Sequence, residues 1–448
     1  MCTINRIVLF ISLVSLFMFR NSVYAKCPCD IYADAGTPCV AAHSTVRALF
    51  ASYTGPLYQV RRTSDTAAKK DIGIISAGGY ANTAAQDSFL NGKAGTISII
   101  YDQTSNKNDL KKSPKATWLS NGGNEASATN GQIKVNGHTV YGIYVTGYSS
   151  NVAYRNNSTT GLAKNNEAET MYMVVDGKRY SDQCCFDYGN AETSGKDDGN
   201  ATMEAVYWGT DTTWGGKGDG KGPWIAADLE NGVFKGNGGG WKTTTKWPNS
   251  KTITANFATV MLKGPAADTF ILKGGDAQSG KLTTMWNGTR PNGYSPMKKQ
   301  GAIILGTGGD GSNGGTGTFY EGAITKNVPP NAIDDSIQAN IVAAGYGNSQ
   351  TVLMVEAFEH KQVASALLHY NLLTSRVTVH YSLQSDKAVN MNVTDLKGRL
   401  VCTIVNDVVS AGNHEAVWSV KNVKQGVYIV AMAMDGRNVW AGKIAVEK

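Results

Sequence analysis

Three carboxylates stand out by type and spacing. In the segment Trp224-Ile-Ala-Ala-Asp228-Leu-Glu230-Asn231, Asp228 and Glu230 lie two residues apart. The segment reads as a strand, so alternation sends both acids to one face and Ala227 and Leu229 to the other. Two acids on one face repel unless a site uses them, and a solvated outer face is the ordinary alternative. The neighbouring Trp224 and the Gly-rich approach from Gly209 to Gly222 favour a cleft. The third acid, Asp310, follows the apolar run Ala302–Leu305 (AIIL) among Gly308, Gly309 and Gly311. Glycines there let backbone approach a ligand closely, although a plain turn aspartate is the simpler reading of Asp310 alone. Two carboxyl groups ~5–5.5 Å apart, one nucleophile and one acid/base, are what a retaining glycosidase needs. Strand ends brought together in a sandwich can supply them.

Other chemistries fit poorly. The first domain holds two histidines, His43 and His138, far apart, with no HxxxH and no CxxC, so no catalytic zinc is expected. A structural Ca²⁺ held by Asp and backbone oxygens is left open. No G-x-S-x-G elbow supports a serine hydrolase. Gly306 to Gly311 spells G-x-G-x-x-G, but Ser312–Thr318 (SNGGTGT) cannot form the helix a dinucleotide fold requires. Gly215 to Lys221 approaches a phosphate loop, but Gly222 replaces its Ser or Thr. No metal and no cofactor are expected.

The elements that must position these acids are strands. The 448 residues include 51 glycines and only 11 prolines, and 42 Lys+Arg against 35 Asp+Glu leave a net charge of +7. No arginine cluster marks a nucleic-acid partner. Short β-like runs (Thr96–Tyr101, Thr139–Val145, Met171–Val175, Thr202–Trp208, Thr254–Leu262, Ala302–Leu305) alternate with turns such as Asn136-Gly137 and Asn231-Gly232. They predict an all-β fold, a large antiparallel β-sandwich of jelly-roll or concanavalin-like type. Cys39–Tyr53 and Asp334–Ala344 are the two candidate short helices. Residues 347–375 read as a linker, with helical character over Val355–Leu368. From residue 376 to 448 a second texture predicts a small Ig-like β-sandwich. At the other end, Arg6, the apolar run Ile7–Phe19 and Val23-Tyr24-Ala25 make residues 1–25 a signal peptide, too short to span a bilayer. The catalytic domain is thus bounded at 26–346.

Seven cysteines fall at 2, 27, 29, 39, 184, 185 and 402. Cys2 leaves with the signal. In an oxidising compartment Cys29 and Cys39 are close enough to close a small loop. Cys27 and Cys402 are left over. Cys184 and Cys185 are adjacent.

At these residues the chain resembles the catalytic domain of the family 54 glycoside hydrolases, the α-L-arabinofuranosidase B type. The matching stretches are residues 29–50 (CDIYADAGTPCVAAHSTVRALF), 97–110 (ISIIYDQTSNKNDL), 154–157 (YRNN), 184–194 (CCFDYGNAETS), 222–231 (GPWIAADLEN) and 301–325 (GAIILGTGGDGSNGGTGTFYEGAIT). The resemblance implies a retaining exo-enzyme that removes terminal α-L-arabinofuranosyl groups from arabinoxylan or arabinan side chains of the plant cell wall. It implies Glu230 as nucleophile and Asp310 as general acid/base. It implies that Asp228, Asn231, Trp214 and the backbone near Gly309 hold the furanose. It also implies a vicinal disulfide Cys184–Cys185 that presents a flat sulfur surface to the sugar.

Two departures matter. The family's further disulfide just before ITIIYDQ is missing, because Ser88–Thr96 contains no cysteine. Fungal members also carry an arabinose-binding β-trefoil, for which residues 376–448 are too short and whose pattern they lack. Residues 376–448 resemble instead the C-terminal sorting module of bacterial type IX secretion cargo. That implies a Gram-negative bacterium, a secretion-machinery partner, and a secreted or surface-held protein; a monomer is expected. A non-catalytic carbohydrate-binding sandwich and a related furanosidase or xylosidase are the alternative readings.

Overall fold

The computed structural model describes residues 26–348, 366–371 and 376–446. The expected signal peptide and residues 355–365 of the expected linker helix lie outside the described residues.

Two antiparallel sheets build the first domain. A seven-stranded sheet runs Cys39–Ser44, Thr316–Lys326, Glu169–Asp176, Phe257–Gly264, Thr269–Asp276, Thr283–Thr289, and Ile143–Thr146 also pairs with Thr316–Lys326. A ten-stranded sheet runs Val233–Phe234, Trp224–Asp228, Glu204–Gly209, Asp187–Ala191, Ala302–Leu305, Tyr154–Asn156, Leu110–Lys112, Gly95–Ile100, Tyr58–Arg62, Lys69–Ile72. One apolar core joins them, and Tyr188 of the larger sheet meets Phe319 of the smaller at 5.2 Å between ring centres. Burial of this core is the dominant favourable term for the fold.

The segment Cys39–Ser44 is a strand, not the expected helix. All six of its residues are buried, so it lacks the alternation that marks a half-exposed strand, and periodicity alone cannot tell it from a buried helix. The second helix is present and longer than expected, Asn331–Ala344, with Gly345 at φ +76° closing its C-terminus. Its Asp334 binds Lys263 at 2.6 Å and Lys273 at 2.7 Å, anchoring it to the smaller sheet.

The Cys29–Cys39 disulfide is formed, and Cys27 and Cys402 are free. His43 is buried and satisfied, with Tyr188 and Asn108 each at 2.9 Å from its ring nitrogens. His138 stacks on Tyr80.

The C-terminal residues form a three-stranded sheet (Ala366–Asn371, Arg376–Leu383, Gly412–Ser419) and a four-stranded sheet (Leu400–Val409, Lys387–Asp395, Gly426–Met434, Arg437–Val446) with their own core. The strand Ala366–Asn371 pairs with Arg376–Leu383. It therefore corrects the expected 347–375 linker: its last part is an edge strand of the small sandwich. Among the described residues no helix is long and apolar enough to cross a membrane.

Candidate active site

The larger sheet has one face on the core and one away from it. Tyr188, Val206, Trp208, Ile225 and Ala227 join the main core. The alternate residues Tyr207 and Ala226 pack with Val233, Cys184 and Trp214 on the opposite face. Asp187 and Asp228 share that opposite parity, so the strands themselves deliver carboxylates to the outer face.

The strand carrying Asp228 ends there. Glu230 is not the next outward residue of a strand, as the sequence suggests, but lies in the turn that follows. Glu230 and Asn231 both take left-handed φ, +66° and +55°, and Leu229 N–H donates to Gly232 O at 3.2 Å. The two residues form the tip of a tight hairpin of the kind normally made by Asn-Gly. A glutamate held there costs on the order of 1–2 kcal/mol. Leu229 still enters the main core while Glu230 stays off it, so the expected sidedness holds by a different backbone. Asn231 is exposed at the rim, its amide donating to Asp197 and Asn200.

A chain of contacts links the sequence-derived residues. Glu230 N–H donates to Asp228 Oδ1 at 3.1 Å. Asp228 Oδ2 lies 3.2 Å from Cys185 Sγ and 3.7 Å from Cys184 Sγ. Cys184 and Cys185 are disulfide-bonded to each other. Cys185 Sγ is 3.6 Å from Ser312 Oγ, and Ser312 N–H donates to Asp310 Oδ1 at 2.9 Å. Asp310 is half-buried. Trp214 is set by its N–H on Asp211 Oδ2 at 3.0 Å and by Val233 N–H on its carbonyl, and its ring packs on Trp241. The two sulfurs and Asp228 are close enough to cluster round an ion, but sulfurs bonded to each other are not thiolates and make poor metal ligands.

Sequence reasoning missed three neighbours: Asp187, Glu192 and Arg155. Each sits inside a stretch already singled out, but adjacency comes only from sheet order. The strands Asp187–Ala191, Ala302–Leu305 and Tyr154–Asn156 are neighbours in the sheet and distant in sequence. Arg155 donates to Gly309 O at 2.6 Å and to Glu192 O. Thr202 Oγ1 donates to Glu192 Oε1 at 2.6 Å, leaving Oε2 buried without a protein donor. Both oxygens of Asp187 are likewise buried without a donor.

The acids therefore face one another in low dielectric. Burial, then Glu192 and Asp228, push the Glu230 carboxyl well above its ordinary range. Burial pushes Asp228 up to about 7, and burial and Asp228 raise Asp187. Glu192 is raised by burial. Asp228 bears on Asp187 and Glu192 on Glu230, so full ionisation of both members of either pair is disfavoured.

Residues 28–347 match the family described as alpha-L-arabinofuranosidase B, catalytic. The chain belongs to that family. Residues 373–447 match a secretion system C-terminal sorting domain. A probable alpha-L-arabinofuranosidase B of Aspergillus fumigatus is 47% identical over 379 residues, 83% of this chain and 72% of that protein. An arabinofuranosidase/B-xylosidase of Trichoderma koningii is 51% identical over 332 residues, 73% of this chain and 64% of its own length. Among solved structures, a Gln-for-Glu mutant of a GH54 a-l-arabinofuranosidase soaked with 4-nitrophenyl a-l-arabinofuranoside superposes at TM-score 0.68 with 43% identity, covering 81% of this chain and 74% of that one. An arabinofuranosidase complexed with arabinofuranosyl-alpha-1,2-xylobiose does so at 0.68 with 38% identity, covering 89% and 86%. The vicinal cysteine pair and the acids at 228, 230 and 310, singled out from the sequence, thus lie in one contact chain.

Proposed function

We propose that the chain is a secreted, exo-acting, retaining alpha-L-arabinofuranosidase that releases terminal α-L-arabinofuranosyl groups from arabinoxylan or arabinan side chains. The observation that carries this reading is the contact chain from Glu230 through Asp228 and the Cys184–Cys185 disulfide to Asp310. The xylobiose-linked ligand of the related structure favours a xylan leaving group.

In the reading proposed, the furanose lies on the disulfide, flanked by Trp214 and the backbone at Gly309. Glu230 must give up its proton before it attacks; in this reading the neighbouring Glu192 carboxylate accepts it, which frees the Glu230 carboxylate to attack the anomeric carbon. Asp310 gives its proton to the departing glycosidic oxygen as that bond breaks. A covalent arabinosyl ester on Glu230 results. Asp310, now a carboxylate, takes a proton from water, whose oxygen attacks the anomeric carbon and frees Glu230, with retention. Developing positive charge on the sugar favours the ionised Glu230 at the moment it is needed. The sorting module suits export in a Gram-negative bacterium, with residues 1–25 as the signal.

The test is release of nitrophenol from 4-nitrophenyl α-L-arabinofuranoside, with Glu230→Gln and Asp310→Asn alongside. Removal of either role is expected to lower turnover ~10²–10⁴-fold. Inactivity of the wild type on every furanoside would end the enzyme reading, and a fully active Glu230→Gln would end the role assignment. A 4-nitrophenyl β-xyloside arm addresses the xylosidase alternative that the Trichoderma relative's name carries.

A further inference from the structure

Three aromatic side chains near the site are largely exposed: Trp118 at 70%, Tyr148 at 71% and Trp241 at 58%. Trp241 is engaged with Trp214. Tyr148 lies over Gly314, where a side chain would strike its ring. Trp118 differs, because its backbone is bonded to the residue proposed as proton donor: Trp118 N–H donates to Asp310 O at 3.2 Å.

The loop that holds Trp118 is tied down throughout. Ser113 N–H donates to Ala153 O and Gly123 N–H to Ser113 O, each at 2.8 Å, closing the loop at its base. Ala116 and Leu119 exchange backbone bonds of 3.1 and 3.2 Å across its tip. Thr117 N–H donates to Gly195 O at 3.0 Å. Leu119 is buried, and Ala116 packs so closely on Gly311 that a side chain there would collide with it. The backbone is thus fixed on the Asp310–Gly311 turn while the indole is left to solvent. A single exposed hydrophobic residue is ordinary on a surface. One displayed on a preorganised loop next to a general acid is placed for a ligand, since rigid aromatic anchors bind with little ordering cost.

The chemistry names the ligand. A general acid protonates the oxygen of the leaving group, so the first leaving-group sugar emerges on the Asp310 side of the pocket. We propose that the Trp118 indole is the platform for that sugar, a β-1,4-linked xylopyranose of the xylan backbone. A xylopyranose chair carries its hydroxyls equatorially and presents axial C–H groups on both faces, which suits a flat aromatic surface. A five-membered arabinan ring offers a smaller, puckered face with hydroxyl-bearing carbons on either side, a poorer match to a flat indole. The inference rests on the proposed activity and on Asp310 as acid.

The experiment compares kcat/KM of the full chain on arabinofuranosyl-xylobiose, on an α-1,5-linked arabinofuranobiose and on methyl α-L-arabinofuranoside, for wild type, Trp118→Ala and Trp118→Phe. Trp118→Ala is expected to lower the preference for the xylobiose substrate over the methyl furanoside roughly tenfold, the equivalent of one stacked ring. The loss should lie chiefly in KM, with most of the preference kept by Trp118→Phe. An unchanged preference overturns the platform while leaving the activity standing. An equal loss of preference for the arabinofuranobiose overturns the pyranose assignment. A wild type inactive on all three removes the activity and the platform together.

Discussion

Glu192 touches no sugar in the proposed pose, yet it governs the protonation of the residue that does. Thr202 holds one of its oxygens, and the other is buried toward the pocket. The charged groups that bear on this corner are Glu230, Asp228, Asp310, Asp198 and Arg155. Glu230 must be ionised to attack, and the neighbouring Glu192 raises its pKa. Glu192→Gln removes that like charge and keeps a hydrogen-bond donor. The Glu230 pKa should fall, so the acidic limb of the kcat/KM profile should move to lower pH. Glu192→Ala removes donor as well as charge and should lower the maximum rate too. A pH–rate profile whose acidic limb stays in place in Glu192→Gln would refute the coupling between Glu192 and Glu230.

At the scale of elements, the pocket is a matter of neighbouring strand ends. Arg155, Glu192 and Gly309 follow or sit in three adjacent strands, and Arg155 binds the carbonyls of the other two. A Cβ at position 309 would land on Glu192 Oε2. Gly309→Ala must therefore displace either the loop bearing Asp310 or the proton partner of Glu230. Turnover on the aryl furanoside is expected to fall ~10²-fold, the scale of a 1 Å misplacement, while the thermal midpoint stays near that of wild type. An equally active Gly309→Ala would show that this approach is slack. The same strand ends explain what was legible in the sequence. Ala302–Leu305 and Met171–Val175 announce themselves by apolar runs between turns. The acids at 228, 230 and 310 declare themselves by type, spacing and glycine context. Cys39–Ser44 hides because complete burial erases alternation, and Glu230 reads as a strand residue because sidedness is alike in a strand and at a hairpin tip. Asp187, Glu192 and Arg155 were invisible because sheet order, not chain order, makes them neighbours. Trp118 was invisible because a lone loop tryptophan carries no period.

For the whole molecule, the charge balance and the pocket point in opposite directions. A chain with 42 basic and 35 acidic residues and a pI of about 8.8 has least self-repulsion in mildly alkaline solution. The buried acids say otherwise. Asp228 and Glu169 are both pushed up to about 7, chiefly by burial, against ordinary values of about 3.9 and 4.3 in an unfolded chain. Below about 4 each is protonated whether folded or not. Between about 4 and 7 the unfolded chain has lost these protons and the folded one has kept them, so unfolding releases protons and stability falls as pH rises. Glu204, held below its ordinary value by Lys299 and Arg290, works in the reverse sense and withdraws stability only as pH falls through its lowered pKa. The thermal midpoint of the unliganded protein should therefore be higher near pH 5 than near pH 8, on the acidic side of the pI. Asp228→Asn offers the decisive comparison. It cannot ionise, so it should raise the midpoint by a few degrees at pH 8, change it little at pH 4, and flatten the slope between, while activity is lost. A midpoint that peaks near the pI, or an Asp228→Asn protein that is destabilised most at pH 8, would mean that net charge and not the crowded pocket sets the stability of this fold.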